Sequence, residues 1–177
     1  KINSMIAITG ADGFLGKHCQ IYCKINNIQN VIFINKQNYK KKKILNDLKT
    51  CKYFIHLAGV NRSKNGKIIS KNLQILEYYL EILKNNRKLK KIIFTSSIHR
   101  NKKNDYGIAK SKSEKILKNF CFTSKIKLKI LKLGNIFGEF CKPNYNSVVA
   151  TFSFNLINNK KIKVNKNSKI DLIHVKD

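Results

Sequence analysis

Short apolar runs alternate with amphipathic segments along most of the chain. Between the runs, apolar residues recur every three or four positions, which predicts helices. Two helical faces are traced by Leu73, Leu76, Leu80 and Leu83, and by Ala109, Ser113, Ile116, Leu117 and Phe120. The apolar runs, rich in β-branched residues, lie at 5–8, 31–34, 53–57, 91–94 and 128–133. This alternation predicts βαβ units and therefore an α/β fold with a doubly wound parallel sheet.

The last third of the chain is less regular. It contains one apolar, helix-like stretch at 148–157 and a late apolar run at 170–173. Earlier in the chain, the lysine-rich segment 39–43 favours a solvated loop or the start of a helix. No Pro/Ser-rich linker interrupts the sequence, whose only proline is Pro143, so residues 1–177 are predicted to form a single domain.

A glycine-rich turn directly follows the first predicted strand and opens the first predicted helix. We expect Gly10 to permit a tight turn, Gly13 to let the backbone approach a pyrophosphate, and Gly16 to let helix and strand pack closely. The N-terminus of the helix then offers backbone N–H groups to phosphates. This strand–turn–helix context predicts a dinucleotide site. The other residues of the turn that we expect to contact the dinucleotide are Asp12, Phe14 and Leu15.

A second chemical signal is the pair Tyr106 and Lys110, which a helix presents side by side because they lie four positions apart. An ammonium beside a phenol favours the phenolate, so we expect Lys110 to lower the pKa of Tyr106. Such a tyrosine can exchange a proton with a sugar oxygen. Ser97, at the end of the fourth predicted strand, can hydrogen-bond the same oxygen, and Ser96 stands beside it as a substitute. We therefore predict a catalytic site at Tyr106, Lys110 and Ser97.

The net charge of +28 comes from 37 basic and only 9 acidic residues, a balance typical of nucleic-acid-binding proteins. The kind of residue argues otherwise. Of the basic residues 34 are lysines, and Lys, Ile and Asn together make up 83 of the 177 residues. All three have A/T-rich codons, so base-composition drift explains the mixture, whereas nucleic-acid readers favour arginine. We expect no specific nucleic-acid partner; a basic nucleic-acid binder on the same scaffold is the alternative.

Cysteine usage and hydropathy indicate a reducing compartment. The five cysteines are scattered, and Cys19 and Cys23 have no second close pair to complete a disulfide framework or a metal site, so no metal is expected. No apolar run approaches the roughly 20 residues of a membrane span. Residues 1–16 also lack the apolar core of a signal peptide. These features predict a soluble cytoplasmic protein with no membrane partner.

Together, these motifs resemble the extended short-chain dehydrogenase/reductases, the family of nucleotide-sugar epimerases, dehydratases and reductases. The resemblance is carried by the glycine-rich turn, the segment 56–59, Asn72, Ser97 and the Tyr106/Lys110 pair. A closer likeness lies within the family. It is to the reductases of capsular UDP-4-keto-6-deoxy-N-acetylhexosamines, on the route to UDP-N-acetyl-L-fucosamine. The segments that carry this closer likeness are 56–62, 134–138 and 141–152.

The resemblance implies a role for each site residue. Tyr106 would be the general acid/base, Lys110 would bind the nicotinamide ribose, and Ser97 would orient the substrate oxygen. Asn72 would support the site from the neighbouring helix. Further cofactor contacts would come from Leu57, Ala58 and Gly59. A UDP-sugar substrate would be bound by Asn135, Asn144, Asn146 and Ser147, so that residues 134–177 contribute the start of a nucleotide-sugar-binding part. The resemblance also implies a homodimer.

The end of the second predicted strand bears on the choice of cofactor. Sheets that prefer NAD place an acidic residue there to bind the ribose hydroxyls. The chain instead reads Ile34, Asn35, Lys36 and Gln37, with no acid. Because Lys36 can pair with a 2′-phosphate, we predict NADP, with NAD as the alternative.

The chain departs from the family in several respects. Gly134 stands where many relatives have proline, and the C-terminal cupin domain of the UDP-sugar reductases has no counterpart. The first domain also normally runs some tens of residues beyond the equivalent of Asp177, so the fold is expected to be C-terminally incomplete. Met5 stands where a family member would start, which makes residues 1–4 look like upstream carry-over. The alternatives to a reductase are an epimerase or dehydratase of the same family and a truncated, inactive relative that only binds nucleotide.

Overall fold

A computed structural model describes residues 5–62, 66–164, 167 and 169–177. The suggested carry-over at residues 1–4 lies outside these residues. The chain divides into two compact units, residues 1–132 and 133–177, and each is described by itself.

The first unit is built on a five-stranded sheet, which confirms the predicted α/β fold. The strand order is β2-β1-β3-β4-β5, and β1 pairs in parallel with both β2 and β3, as β3 does with β4. The order reverses between β1 and β3, and crevices at such reversals bind nucleotides at the carboxyl ends of the strands. The strands are β1 (Ile6–Thr9), β2 (Val31–Ile34), β3 (Tyr53–His56), β4 (Lys91–Ser97) and β5 (Lys127–Leu133).

Helices connect these strands as the apolar spacing predicts. They are α1 (Phe14–Ile25), α2 (Lys42–Leu48), α3 (Ile68–Leu83) and α4 (Asp105–Thr123), with a short 3-10 helix at Ile98–Asn101 between β4 and α4. The segment 39–43 proves to lead into α2, which buries Ile44 and Leu48. Asn104 begins α4, because its side-chain oxygen accepts a hydrogen bond of 2.8 Å from the Gly107 N–H.

The core of the first unit lies between the sheet and its helices. Phe54 and Ile92 from the strands are fully buried with Leu76 of α3 and Leu117 of α4. Each such side chain contributes about 2 kcal/mol of transfer free energy. Asn86 is a buried polar residue of this unit. Its side-chain amide donates hydrogen bonds to the carbonyls of Leu48 and Cys51 at 2.7 and 2.8 Å, which compensate for its lost hydration.

The second unit contains a small parallel sheet and one helix. Strand β6 (Asn135–Phe137) pairs with β7 (Leu172–His174), and α5 covers Val148–Ile157, the stretch in which a helix is predicted. Strand β6 is too short, at three residues, for its pattern to be distinguished in the sequence.

Among the described residues, no helix combines the length and apolar character needed to span a lipid bilayer.

Candidate active site

The glycine-rich turn joins β1 to α1 at the carboxyl edge of the sheet. Gly10 has a φ of +74°, and a Cβ there would lie 2.7 Å from the Ala58 backbone nitrogen. A Cβ at Gly16 would lie 2.2 Å from the Gly10 carbonyl oxygen. Gly10 and Gly16 are therefore required by close backbone packing. A Cβ at Gly13 would meet only the Gly10 oxygen, at 3.1 Å, among the described residues, so its open side suits a ligand.

The end of β2 faces this turn through Asn35. Its side-chain nitrogen donates to Asp12 Oδ1 at 3.3 Å, and its side-chain oxygen accepts from the N–H groups of Gln37 and Asn38, each at 3.0 Å. The loop after β2 is thus folded around one asparagine at the position where NAD-binding sheets carry an acid. Lys36 lies exposed in the same loop. The sequence analysis assigned no role to Asn35, because nothing in its surroundings indicates the contact with Asp12.

The loop after β3, which contains Leu57, Ala58 and Gly59, is hydrogen-bonded both to β1 and to α3. The Ala58 N–H donates to Thr9 Oγ1 at 3.2 Å, while the Val60 N–H donates to Asn72 Oδ1 at 3.0 Å. Asn72 Nδ2 returns a bond of 2.9 Å to the Val60 carbonyl, which gives this residue the supporting position predicted for it.

Gly59 borders the next part of the site. A Cβ at this position would lie 3.0 Å from Asn72 Oδ1 and 3.9 Å from Lys110 Nζ. The backbone of the loop after β3 therefore comes close to the Lys110 ammonium.

His56, at the end of β3, is a buried polar residue that the sequence analysis left without a role. Its Nδ1 lies 2.9 Å from Thr9 Oγ1. Thr9 Oγ1 also accepts a bond from the Ala58 N–H, so this hydroxyl joins the ring to the loop after β3. Burial, together with the nearby Lys110 charge, lowers the pKa of His56 to about 3. The ring is therefore a neutral structural link between β1 and β3.

Ser97 and Tyr106 come together at the carboxyl end of β4. The Ser97 hydroxyl accepts a bond of 3.1 Å from the His99 N–H and is hydrogen-bonded to Tyr106. Burial raises the pKa of Tyr106, and the Ser97 bond only partly opposes this. The prediction that Lys110 lowers the pKa of Tyr106 is therefore wrong. Desolvation outweighs any attraction by the ammonium, so the phenol keeps its proton at neutral pH.

Lys110 is 8% exposed and turns toward the sheet. Its ammonium donates to the Thr95 carbonyl at 2.8 Å, and it lies 4.9 Å from the centre of the Phe94 ring and 5.7 Å from that of Tyr106. Burial lowers the pKa of Lys110 to about 8, although Glu114 opposes the shift. The ammonium is thus charged at neutral pH and close to the pH at which it loses its proton.

Ser96 has a different partner from Ser97, because neighbouring side chains of a strand point to opposite faces. Its hydroxyl donates to Glu114 Oε1 at 2.5 Å, and both residues are buried. The expectation that Ser96 replaces the hydrogen bond of Ser97 is therefore wrong. Glu114 itself escaped the sequence analysis, although its position four residues beyond Lys110 puts it on the same face of α4.

In the second unit, two of the predicted substrate residues have backbone partners. Both nitrogens of Asn135 donate to the carbonyl of Asp171, the backbone N–H at 3.2 Å and the side-chain amide at 3.4 Å. Asn144 adopts a φ of +55°, and its N–H donates to Thr151 Oγ1 at 2.9 Å. These bonds shape the backbone on either side of residues 136–143.

The other two substrate residues lie where the loop enters α5. Asn146 is exposed, whereas Ser147 is buried and caps the helix by accepting a bond of 3.2 Å from the Ala150 N–H. The buried Ser147 therefore has a local structural function that its sequence position alone did not show.

The residues of the first unit fit a dinucleotide. The glycine-rich turn leaves an open side at Gly13, the N-terminus of α1 provides backbone donors, and both lie where the strand order reverses. The fold is thus of the Rossmann type, and Ser97, Tyr106 and Lys110 lie together at the carboxyl end of β4. The chain belongs to the NAD dependent epimerase/dehydratase family, whose sequence pattern matches residues 6–177.

Two similar proteins are a sugar-nucleotide reductase and a capsular polysaccharide assembling protein. A UDP-2-acetamido-2,6-beta-L-arabino-hexul-4-ose reductase of Pseudomonas aeruginosa is 31% identical over 175 residues, covering 97% of this chain and 46% of the reductase. The capsular polysaccharide assembling protein CapF of Staphylococcus aureus is 32% identical, with a TM-score of 0.80 over 97% of this chain and 46% of CapF. The chain therefore spans about half the length of these relatives.

A more distant likeness supports the fold alone. A UDP-N-acetylglucosamine 4-epimerase of Methanobrevibacter ruminantium superposes with a TM-score of 0.80 at 22% identity, covering 98% of this chain and 69% of the epimerase.

Proposed function

We propose that the protein is an NADPH-dependent reductase of a UDP-4-keto-6-deoxy-N-acetylhexosamine, in the synthesis of surface polysaccharide precursors. One observation carries the proposal: Ser97, Tyr106 and Lys110 converge beside the loop after β3 in a chain that is 31% identical to a reductase of a 4-keto sugar nucleotide. We also expect it to act in the cytoplasm and as a homodimer, as the resemblance to these reductases implies.

The proposed acid is Tyr106. Burial keeps its phenol protonated at neutral pH, as a group that gives a proton to a carbonyl oxygen requires. Ser97 is hydrogen-bonded to Tyr106, so a substrate oxygen between the two hydroxyls would be oriented by both. When bound, the nicotinamide cofactor supplies the hydride for the keto carbon.

The proposed cofactor contacts divide between the two ends of the dinucleotide. Lys110 would donate to the nicotinamide ribose from its position beside Tyr106 and Gly59. At the other end, Asn35 replaces the acid that favours NAD, and the exposed Lys36 would attract a 2′-phosphate. The pyrophosphate would lie against Gly13 and the N-terminus of α1.

The proposed substrate contacts in the second unit are Asn135, Asn144, Asn146 and Ser147. Asn144 and Asn146 are both exposed, so both side chains can reach a ligand. Ser147 keeps a hydroxyl proton for donation even while its oxygen caps α5.

The test is to incubate the protein with NADPH and a UDP-4-keto-6-deoxy-N-acetylhexosamine, and to follow cofactor absorbance and sugar mass together. A reductase consumes one NADPH for each sugar that gains two mass units. Conversion of the sugar to an isomer of the same mass, separated by chromatography, without net NADPH consumption would instead identify an epimerase. NADPH binding with no change in the sugar would identify a relative that only binds nucleotide.

A further inference from the structure

A buried acidic residue lies one helical turn beyond the proposed catalytic pair. Tyr106, Lys110 and Glu114 follow one another at intervals of four on α4 and so share one face of the helix. Glu114 is 4% exposed, which is rare for a carboxylate unless charged or hydrogen-bonded partners compensate for the lost hydration.

Its two oxygens have separate partners. Oε1 accepts the Ser96 hydroxyl at 2.5 Å, and Oε2 lies 3.5 Å from Arg100 Nη1, on the short helix that follows β4. The carboxylate thereby joins α4 to the end of β4 and to the segment immediately after Ser97. A neutral side chain of the same shape would preserve the Ser96 bond but would lose the ion pair with Arg100.

The Lys110 ammonium is a second positive charge, one helical turn before Glu114 on the same face of α4. It is nearly as buried as Glu114, and its hydrogen-bond acceptor, the Thr95 carbonyl, carries no net charge. The titratable groups facing it from the sheet and its own helix are His56, which is neutral, and Tyr106, which is protonated. Asn72 faces the same space from α3 and is also neutral.

We propose that Glu114 is a positioning residue, the counter-charge that keeps the buried Lys110 ammonium cationic and so able to bind the nicotinamide ribose. The inference about charge stands on the burial of both side chains and on their spacing of one turn on the same face of α4, and its consequence for ribose binding rests on the proposed function. Arg100, whose side chain is 27% exposed, competes for the same carboxylate from the outer side. In agreement, Glu114 raises the pKa of Lys110 against the effect of burial.

The test measures Lys110 directly, in the protein without cofactor. Competitive reductive methylation at a series of pH values, read by peptide mass spectrometry, gives the pH at which Lys110 becomes reactive. We expect Glu114→Gln, which retains an acceptor for Ser96, to lower this midpoint by about one pH unit or more. The matched control is Glu81→Gln, the same change at an exposed glutamate of α3, which should leave the midpoint where it is.

A second variant covers the case in which Glu114→Gln fails to fold. Arg100→Gln removes the competing cation from a partly exposed position, so the Lys110 midpoint should rise. An unchanged midpoint in folded Glu114→Gln, or in Arg100→Gln if the former is unfolded, would overturn the proposal. NADPH titration of the same proteins distinguishes a failure of the counter-charge role from a failure of the proposed function. If Lys110 shifts as expected while the unmodified protein binds no NADPH, the proposed function fails and the counter-charge role stands.

Discussion

The Lys110 ammonium donates a hydrogen bond of 2.8 Å to the backbone carbonyl of Thr95. Thr95 lies in β4 two residues before Ser97, so this bond fixes the N-terminal part of α4 against the strand that carries the serine. An ammonium has three N–H donors, and one bond to the backbone is compatible with further bonds to ribose hydroxyls. The backbone of the sheet thus holds the Lys110 ammonium, one of the proposed catalytic groups, in place.

Removing the Tyr106 hydroxyl tests the proposed acid. Tyr106→Phe keeps the ring and should leave NADPH affinity nearly unchanged, yet lower turnover by about 100-fold or more because the proton donor is lost. NADPH oxidation in the presence of the keto sugar measures the effect. Tyr22→Phe, at an exposed position of α1, is the control. Near wild-type turnover in Tyr106→Phe would show that another group donates the proton.

Replacing Lys110 by Met should reveal the cost of burying its charge. The folded-state pKa is about 8 against an ordinary value of 10.5, so above pH 8 the unfolded chain holds a proton that the folded chain has released. The penalty is therefore fully present below pH 8 and disappears as the pH rises toward 10.5. Between pH 7 and pH 10, the wild type should gain about 2 kcal/mol of stability relative to Lys110→Met.

Urea unfolding of both proteins at the two pH values measures this difference, and groups common to both cancel. A constant difference would mean that Lys110 titrates normally in the folded protein. Lys110→Met should also weaken NADPH binding and turnover together, because one ammonium is assigned to both.

Substitutions at two glycines of the glycine-rich turn should separate an effect on cofactor affinity from an effect on stability. Gly13→Ala should be tolerated by the fold, because the new methyl group meets only the Gly10 oxygen, but it should weaken NADPH binding about tenfold, or about 1.4 kcal/mol. Gly10→Ala should instead destabilise the protein by about 2 kcal/mol or more, because it combines a positive φ with backbone overlap. Thermal melts and fluorescence titrations distinguish the two effects. Equal destabilisation by both variants would contradict the assignment of Gly13 to the ligand.

The loop after β2 should set the cofactor preference. We expect NADPH to bind more tightly than NADH, and Lys36→Gln to reduce that preference by removing the cation near the 2′-phosphate. Lys43→Gln, an equivalent change at an exposed lysine of α2, should leave the preference unaltered. Fluorescence titration with both nucleotides tests this, and NADH binding tenfold tighter in the wild type would refute the choice of NADP.

The net charge of +28 should give only nonspecific binding to nucleic acid. Affinity for unrelated duplexes should be similar and should fall steeply with salt, because it arises from the release of counterions. Fluorescence anisotropy over a salt series measures this. A 1,000-fold preference for one sequence at physiological salt would favour the nucleic-acid-binding alternative.

By itself, the sequence determined the order of the main elements, because apolar periodicity survives even in a lysine-rich chain. The stretch 148–157 is a helix as predicted. A Cβ at Gly10 or Gly16 would overlap backbone atoms, so both positions of the turn require glycine. The pairing of Tyr106 with Lys110 on one face of α4 also follows from helical spacing alone.

Only the tertiary structure decided how those groups are charged and what they contact. Burial determines the direction in which the Tyr106 pKa shifts, and the spacing of four residues carries no information about burial. The same holds for Ser96 and Glu114, which lie 18 positions apart and meet because α4 packs on β4. A local pattern specifies which face of an element a side chain occupies. The hydrogen-bond partner of that side chain and its degree of burial depend on residues of other elements, which the local pattern does not include.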